Sequence, residues 1–414
     1  MQGSGCRNNS NPGTLTLNPR RHRILLTPFC VIYTKSHKTY SQMKIIISLL
    51  TALIIMASTY AQVTVEHYSN GSKRAEGKLV NGQREGVWYE FNLKGIKIAE
   101  ANYSNGVKDG KYTEWHPNGK KQLEGYFKAG KLNGNVLSWR ADGTPADKGR
   151  FTDDLRDSLW VFYHPGGITG STGMFDKGKL EGKWQYFYED GAKWKEGSFV
   201  NDEKTGLWTF WYTDGHVHHS GEYAENKETG LWKGWFPNGQ TKDSGSYVNG
   251  KMIGEWKGWY ENGKPQYISF YKDGIQDSTS IIWFPNGKLR SQGIYKKGLK
   301  EGSWKVWYDN GQLSESGSWL DGERNGYWVY FDADGVKIKE ENFDKGRPNG
   351  AWKSYYANGI VSGSGQYVNK IKEGTWQYWD QKGKLMVKSE FLKGQKIKEQ
   401  RYGEAGKELE PARK

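Results

Sequence analysis

Aromatic residues and glycines recur every 24 residues along residues 62–402, without an insertion in the pattern. Between them apolar and polar side chains alternate, which is typical of strands with two different faces. No stretch of this segment shows the three-to-four-residue apolar spacing of an amphipathic helix. A fixed period of this length predicts a repeat array instead of one globular core.

The strictest column is a glycine that occurs in thirteen successive units. Its members are Gly95, Gly119, Gly143, Gly167, Gly191, Gly215, Gly239, Gly263, Gly287, Gly311, Gly335, Gly359 and Gly383. Asn or Asp often precedes this glycine, as in Asn118-Gly119 and Asp214-Gly215. Because both residues tolerate a positive φ, such a dipeptide between aromatic runs predicts a hairpin with a two-residue type I′ turn.

Three further columns are mainly aromatic. The columns that begin at Phe91 and Tyr103 are aromatic in all thirteen units, and the column that begins at Trp88 is Trp in ten. Eight members of the Phe91 column are tryptophans, and they form our candidate binding surface: Trp115, Trp139, Trp211, Trp235, Trp259, Trp283, Trp307 and Trp379. Aromatic rows of this kind can stack on sugars or receive a partner protein, or can simply pack against neighbouring hairpins.

A two-residue turn at residues 94–95 fixes the register of the hairpin, so that residue 92 faces 97, Trp88 faces Ala101 and Gly86 faces Tyr103. Most units have Gly in the place of Ala101, as at Gly125 and Gly149. We therefore expect each Trp of this column to cover a glycine across the hairpin. The Trp88 and Tyr103 columns share one ring-packed face, and the Phe91 column lies on a mixed face.

A second turn is expected between hairpins, near Gly106 and Gly250, with Asp or Asn in some units; Lys370 does not fit this pattern. The predicted fold class is all-β: an elongated single-layer antiparallel meander of stacked 24-residue hairpin repeats. About 26 strands at about 4.8 Å each would extend on the order of 120 Å. Stability should then be roughly a sum of nearest-neighbour contributions, without a central core.

The chain divides into four segments on this basis. Residues 1–42 are an irregular extension, and we expect translation to begin at Met43. Residues 43–61 have the basic start, the short apolar run and the small residues before Gln62 that are typical of a cleaved signal peptide. Residues 62–402 form the repeat array, and residues 403–414 form a charged tail. Export to the periplasm or the extracellular space is therefore the expected localisation.

Composition narrows the classes of function. The formal net charge of +14 includes seven basic and no acidic residues among the first 61, which leaves 53 basic and 46 acidic residues, a net of +7. Spread along an array, this is not the charge of a nucleic-acid-binding protein. The two cysteines, Cys6 and Cys30, precede the array, so we expect no disulfide in it.

Searches for chemistry mostly return the repeat itself. Residues 173–180 nearly match a phosphate-binding loop, but they lack the final Ser or Thr and the helix that should follow. His216 and His218 could share a face and bind a metal ion, although solvated strand histidines are the simpler interpretation. Ser158 and Ser278 break a glycine column and suggest altered turns. We predict no catalytic residue, no metal site and no cofactor.

Residues 230–239 (Gly-Leu-Trp-Lys-Gly-Trp-Phe-Pro-Asn-Gly) and 245–254 (Gly-Ser-Tyr-Val-Asn-Gly-Lys-Met-Ile-Gly) carry a consensus that resembles the variant MORN repeat. The resemblance covers residues 66–402, and it is greatest to secreted bacterial arrays of the YwqK-type antitoxin group. It implies hairpin meanders that serve as protein-interaction or assembly modules, with membrane-lipid association also proposed. The antitoxin label implies a toxin partner.

Three functions are consistent with these observations. The leading expectation is a non-enzymatic exported scaffold that binds a protein partner. The second is carbohydrate or cell-wall binding through the eight tryptophans of the Phe91 column. The third is association with a membrane surface through lysines near the second turns, namely Lys108, Lys131, Lys179 and Lys251.

Overall fold

A computed structural model of the protein describes residues 42–45, 63–403 and 407–409. Residues 42–45 form one exposed helical turn and belong to one unit, residues 1–60; the strands belong to another, residues 61–414. Most of the predicted signal peptide and of the charged tail, and nearly all of the N-terminal extension, lie outside the described residues. Within the described ranges, no helix is long and apolar enough to cross a membrane.

The described part of the array forms one antiparallel sheet of 31 strands. The strands are β1 Val63–His67, β2 Lys73–Val80, β3 Gln83–Phe91, β4 Lys97–Ser104, β5 Val107–Trp115, β6 Lys121–Lys128, β7 Lys131–Leu132, β8 Gly134–Trp139, β9 Pro145–Thr152, β10 Leu155–Tyr163, β11 Thr169–Asp176, β12 Lys179–Phe187, β13 Lys193–Val200, β14 Glu203–Trp211, β15 Val217–Ala224, β16 Lys227–Trp235, β17 Thr241–Val248, β18 Lys251–Trp259, β19 Pro265–Lys272, β20 Ile275–Trp283, β21 Leu289–Lys296, β22 Leu299–Trp307, β23 Leu313–Leu320, β24 Glu323–Phe331, β25 Lys337–Asp344, β26 Arg347–Tyr355, β27 Val361–Val368, β28 Ile371–Trp379, β29 Leu385–Leu392, β30 Gln395–Tyr402 and β31 Glu408–Leu409. Each strand pairs with its neighbours in sequence, while β7 and β8 both pair with β6. The predicted meander is therefore confirmed.

The turn at the strict glycine column differs from the prediction. Gly95 has a φ of 75°, but Lys94 is not in the left-handed region. The Gly95 amide donates to the Asn92 carbonyl at 2.8 Å, and the Asn92 amide donates to the Ile96 carbonyl at 2.9 Å. This is a four-residue turn closed by a glycine bulge, so the expected type I′ turn is wrong here.

The bulge preserves most of the predicted register. Trp88 pairs with Ala101 and Gly86 pairs with Tyr103, as expected from the sequence. Phe91 pairs with Lys97 because the register shifts after Glu90, so residue 92 does not face residue 97. The turn and the register shift after Glu90 compensate for each other. Trp88 and Gly86 therefore meet the same partners as they would with a two-residue turn.

Type I′ turns occur instead between the hairpins. Asn105 and Gly106 both have positive φ values, 51° and 80°, and Ser104 pairs directly with Val107 across them. The same two-residue geometry recurs at Asn369-Lys370, where Lys370 has a φ of 69°. The lysine thus adopts the conformation that glycine or asparagine adopts elsewhere, and nothing in the structure explains this residue.

A second bulge lies early in the first strand of each hairpin, at the column that begins with Gly86. Ser158 and Ser278 take this position with φ values of 59° and 80°, close to the 67° of Gly86. The register of β10 with β9 shifts between Asp157 and Val161. The expected altered turns are therefore wrong, because both serines retain the bulge that glycine forms in the other units.

A ladder of tryptophans on one sheet face, here called the tryptophan face, forms the buried layer. The Trp208 side chain has no solvent exposure, and a methyl group on Gly197 of the preceding strand would overlap its indole ring. The indole nitrogen donates to the Ser198 carbonyl at 3.2 Å. The same spacing, Trp over the glycine eleven residues earlier, joins nine pairs: Trp88 and Gly77, Trp160 and Gly149, Trp184 and Gly173, Trp208 and Gly197, Trp232 and Gly221, Trp256 and Gly245, Trp304 and Gly293, Trp328 and Gly317, and Trp376 and Gly365.

This arrangement partly corrects the sequence prediction. Trp184 does pair with Gly197 across its hairpin, as expected, but its ring leans over Gly173 on the other side. Gly197 is covered by Trp208 instead. Each such glycine therefore lies between two tryptophan positions, and the ring of the later one covers it. Phe or Tyr side chains contact the indoles edge to face, as Phe199 contacts Trp208 with ring centres 5.1 Å apart.

Hydrogen bonds also link each unit to the next along the turns. The Tyr212 hydroxyl donates to the Trp235 carbonyl at 2.9 Å, and Tyr356 makes the corresponding bond to Trp379 at 2.8 Å. The Asn286 side chain donates to the Asp309 carbonyl, again 23 residues ahead. Contacts at one fixed sequence separation are the nearest-neighbour contacts that a repeat array requires.

Candidate functional site

The eight tryptophans predicted as a binding surface are all partly exposed on the face opposite the tryptophan face. Their cross-strand partners are mostly uncharged residues, such as Val217 opposite Trp211 and Leu289 opposite Trp283. Within the described residues, no ring-to-ring contact involves any of the eight. They form a row of separate rings, and whether this row binds a ligand stays a prediction.

Lysine side chains cover some of these rings. The ammonium nitrogen of Lys97 lies 4.0 Å from the Trp115 ring centre, and that of Lys193 lies 4.8 Å from Trp211. Lys193 also forms an ion pair with Glu196 at 2.9 Å. Part of the row therefore already carries cations from the protein itself, so its ring faces are not uniformly open.

The histidine cluster differs from the expected arrangement. His218 and His219, rather than His216 and His218, are in contact, with their Nδ1 atoms 2.8 Å apart. His216 is exposed and lies 3.2 Å from Asp214. Within the described residues, no group of three or more His, Cys, Asp or Glu side chains is placed to hold a metal ion.

The turn lysines are placed in two ways. Lys131, Lys179 and Lys251 are exposed at the starts of their strands. Lys108 is half-buried, with its nitrogen 4.5 Å from the Tyr112 ring centre and 5.2 Å from Phe127. The near-match to a phosphate-binding loop at residues 173–180 is a strand, a two-residue turn and a strand, without a helix.

Cations cover the tryptophan face at regular positions. The guanidinium carbon of Arg84 lies 4.2 Å from the ring centre of Trp88, four residues later, and 5.2 Å from that of Tyr103. Seven such pairs occur in the described array: Arg84 and Trp88, Lys108 and Tyr112, Arg156 and Trp160, Lys204 and Trp208, Lys300 and Trp304, Arg324 and Trp328, and Lys372 and Trp376. We call these residues the capping cations.

The capping pattern changes across β16 to β18. Glu228 and Met252 occupy the places of the capping cation before Trp232 and Trp256. These indoles are 8% and 6% exposed, whereas Trp88 and Trp208 are fully buried. Leu132, Leu180, Gln276 and Pro348 also take this position in other units, so the feature particular to this stretch is the carboxylate of Glu228.

A second change in the pattern deepens this stretch into a groove. Gly234 and Gly258 take the column that holds Phe162, Tyr186 and Phe210 in earlier units. The resulting cavity of about 390 Å³ is lined by Trp232, Trp256 and Gly234. Its other lining residues are His218, His219, Tyr223, Glu228, Lys233, Lys242, Asp243, Tyr247, Met252 and Tyr267. We call this cavity the tryptophan groove.

Two carboxylates face the tryptophan groove. Asp243 pairs with Gly234 on one side and with Gly258 on the other, so neither neighbouring strand places a side chain beside it. Glu228 is opposite Tyr223 and accepts a hydrogen bond from its hydroxyl. Neither carboxylate forms an ion pair with a described residue.

Burial and charge shift the titration of the groove. Burial, and then the nearby Glu228 carboxylate, raises the pKa of Tyr223 to about 12. Burial, followed by Asp243, raises the pKa of Tyr267 to about 12. Burial, followed by the charges of His218 and Lys242, lowers the pKa of His219 to about 4. At neutral pH the groove therefore presents the phenols of Tyr223 and Tyr267 and a neutral His219 imidazole.

Sequence reasoning missed this groove, although the signal was present in two columns. Within two successive units, Gly234 and Gly258 stand where five other units have an aromatic residue, and Glu228 and Met252 stand where seven have a basic one. Each replacement alone resembles ordinary variation among repeats. Only the register of the sheet shows that all four changes fall on the same face and beside one another.

The comparison with protein families matches the repeats themselves. Eight segments match the family described as MORN repeat variant: residues 108–129, 180–201, 228–249, 252–273, 276–297, 300–321, 348–369 and 372–393. Each matched segment covers one hairpin, for example β16 and β17. These MORN-type hairpins indicate a repeat scaffold, and two of them form most of the tryptophan groove.

Comparisons with whole proteins add little. No curated protein matches the chain. Among solved structures, "Crystal Structure of TcdB2-TccC3" matches 83% of this chain and 20% of its own, at 10% identity and a TM-score of 0.16. "Crystal Structure of TcdB2-TccC3-TEV" is similar, at 12% identity, a TM-score of 0.16, and coverage of 83% and 21%. The chain thus spans about a fifth of the length of these structures, and the low scores support no argument about function.

Proposed function

We propose that this protein is a non-enzymatic repeat scaffold that binds a protein partner through the tryptophan groove. The observation that carries the proposal is the cavity at Trp232, where the carboxylate of Glu228 takes the place of a capping cation and Gly234 takes the place of a larger side chain. A regular array needs no such break for stability, and functional sites are commonly the places where a protein departs from its own pattern. No cofactor and no nucleic acid enter this proposal.

The groove has the properties of a docking site for a protruding side chain. Its volume of about 390 Å³ lies within the range of small binding cavities, and tryptophan and tyrosine are common anchors of protein interfaces. The strands that form the groove are paired on both sides in the sheet. Binding of a partner therefore does not require these strands to become ordered. The rest of the array then serves as a frame that sets the position and orientation of this site.

Export is part of the proposal because of the sequence of residues 43–61. A toxin partner, which the antitoxin group would imply, is not part of it, since the family match extends to the MORN repeat variant and not to that group. Carbohydrate binding through the row of eight tryptophans and association with a membrane surface stay predictions from the sequence.

Site-specific cross-linking tests the docking site. A photoreactive phenylalanine derivative replaces Lys242, which is exposed at the groove, or Arg290, which is exposed at the same repeat position 48 residues later. We expect one protein to be cross-linked from position 242 in the native envelope and not from 290. Equal products from both positions, or none from 242, would contradict the proposal.

The variant Gly234→Phe provides the matched second measurement. It copies Phe210 of an earlier unit, and the nearest atoms to a Cβ at this position belong to the flexible Asp243 carboxylate. We expect the variant to retain the circular dichroism spectrum of the array and to lose the cross-linked product. Retention of that product with the groove filled would place the partner elsewhere.

A further inference from the structure

The capping cations define a binding position that the protein itself uses repeatedly. Each of them lies between two rings, one four residues and one nineteen residues ahead: Lys204 is 5.0 Å from the Trp208 ring centre and 4.8 Å from that of Tyr223. Lys300 is 4.4 Å from Trp304 and 4.6 Å from Trp319. An ammonium or guanidinium group between two ring faces is attracted by the negative charge density of both.

The corresponding position between Trp232 and Tyr247 has the same rings without an internal cation. The residue that should supply the cation is Glu228, which places a negative charge beside the ring faces. Asp243 lines the same groove nearer to His219, where it adds a second negative charge, and it has no ion-pair partner among the described residues. This unit has thus kept the two rings, but a carboxylate takes the place of the capping cation. Its negative charge would attract a cation from another molecule.

We infer that the tryptophan groove binds an organic cation, an alkylammonium or guanidinium group, between the Trp232 and Tyr247 rings and next to Glu228. This inference rests on the proposed function, since the expected source is a Lys or Arg side chain of the partner protein. A free quaternary ammonium compound presents the same chemistry and is the alternative source.

Two lysines of the protein border the groove without occupying this position. Lys242 influences His218 and His219, which lie at the end of the groove away from Glu228 along the strands. Lys233 follows Trp232, and no ring of the groove lies within the range of a cation contact to either lysine. The cation site is therefore the Glu228 and Tyr247 end, and the other end remains available for polar contacts.

The experiment uses pairs of probes that differ in charge but not in shape. Choline is compared with 3,3-dimethyl-1-butanol, and N-acetyl-arginine amide with N-acetyl-citrulline amide, by ligand-observed nuclear magnetic resonance on the full chain. We expect each cation to bind about tenfold more tightly than its neutral counterpart, because a desolvated contact to two rings has about that effect. Equal binding within each pair would overturn the inference.

Two variants test the position. Glu228→Lys restores the capping residue found at Lys204 and should abolish binding of both cations by occupying the ring faces from within. Glu228→Gln leaves the faces open and should weaken binding only about threefold to tenfold. Unchanged binding by Glu228→Lys, with its fold verified by circular dichroism, would show that the probes bind elsewhere.

The outcomes separate this inference from the proposed function. If only choline binds, the source is a free ammonium compound and the proposed partner docking fails. If neither cation is preferred but Gly234→Phe still removes the cross-linked partner, the groove docks a protein by other contacts and only the cation inference fails. Preference for N-acetyl-arginine amide together with loss of the partner in Glu228→Lys supports both.

Discussion

At the scale of single residues, the array depends on a pairing between tryptophan and the glycine eleven positions earlier. Nine tryptophans lie over nine glycines in this way. Where the later position is not Trp, the earlier one often changes as well: Tyr112 lies opposite Ala101, and Ser280 lies opposite Ser269. The ring needs the flat backbone of glycine, because any Cβ would occupy the space of the indole.

The variant Gly197→Ala tests this pairing. The added methyl group would overlap the Trp208 ring, so we expect the local free energy of unfolding to fall by about 1–3 kcal/mol, as for other overpacked sites. Hydrogen exchange of the β13 and β14 amides is the measurement. The double variant Gly197→Ala, Trp208→Tyr copies Ala101 and Tyr112 and should recover part of the loss; a double variant less stable than the single one would contradict the pairing.

Lys370 allows a stabilising prediction at the same scale. Its φ of 69° costs a residue with a Cβ about 1 kcal/mol relative to glycine. We therefore expect Lys370→Gly to slow hydrogen exchange at β27 and β28. The control is Lys353→Gly, because Lys353 lies within β26 and has no positive φ. This variant should accelerate hydrogen exchange, since glycine weakens a strand.

At the scale of elements, each hairpin combines two turn geometries with two bulges. The strict glycine column closes a bulged turn, and the type I′ turn joins one hairpin to the next. Both produce the right-handed twist that antiparallel strands favour. The bulges also set which faces the columns occupy, so the groove at β15 to β19 depends on the turns that precede it.

The groove strands should lose stability in mild acid because of His219. Its pKa is lowered from 6.5 to about 4 by burial and then by His218 and Lys242. The unfolded strand takes up a proton as the pH falls through 6.5, while the folded strand does not until about 4, so unfolding becomes more favourable across this range. We expect hydrogen exchange at β15 and β16, corrected for intrinsic rates, to rise between pH 7 and pH 4.5.

His219→Phe is the matched variant for this effect, since it keeps an aromatic ring beside Phe210, with which His219 stacks at 4.0 Å. The exchange of β15 and β16 should then lose most of its pH dependence. An equally steep dependence in the variant would contradict this assignment and point to His218, whose pKa is also lowered by burial and by Lys242.

At the scale of the whole array, the described strands form one sheet in which each unit contacts its neighbours along the sequence. Hydrogen bonds between turns span 23 residues, and the tryptophan pairs span eleven. The first strand, β1, is paired on one side and has exposed Val63 and Val65. Stability should therefore be lowest toward the ends and distributed along the sheet.

Deletion of one repeat tests this description. Removal of residues 300–323 joins equivalent positions of two units, so the register continues and the array should remain folded with similar near-ultraviolet circular dichroism. Removal of residues 300–311 deletes half a period, so β23 would have to pair with β21 in place of β22, where its side-chain columns do not match. We expect only the second deletion to cause aggregation or loss of the spectrum; equal tolerance of both would contradict a fixed register.

The sequence by itself determined the period, the hairpins, the antiparallel meander and the pairing of Trp88 with Ala101. A strict 24-residue repeat with alternating faces allows few other arrangements, because each one-residue shift would exchange buried and exposed side chains. The tertiary structure alone decided the bulged turn, the glycine that each indole covers, and the groove. The turn depends on backbone φ values, and the other two features depend on contacts between side chains eleven to nineteen residues apart. A comparison of one column at a time treats such residues as independent.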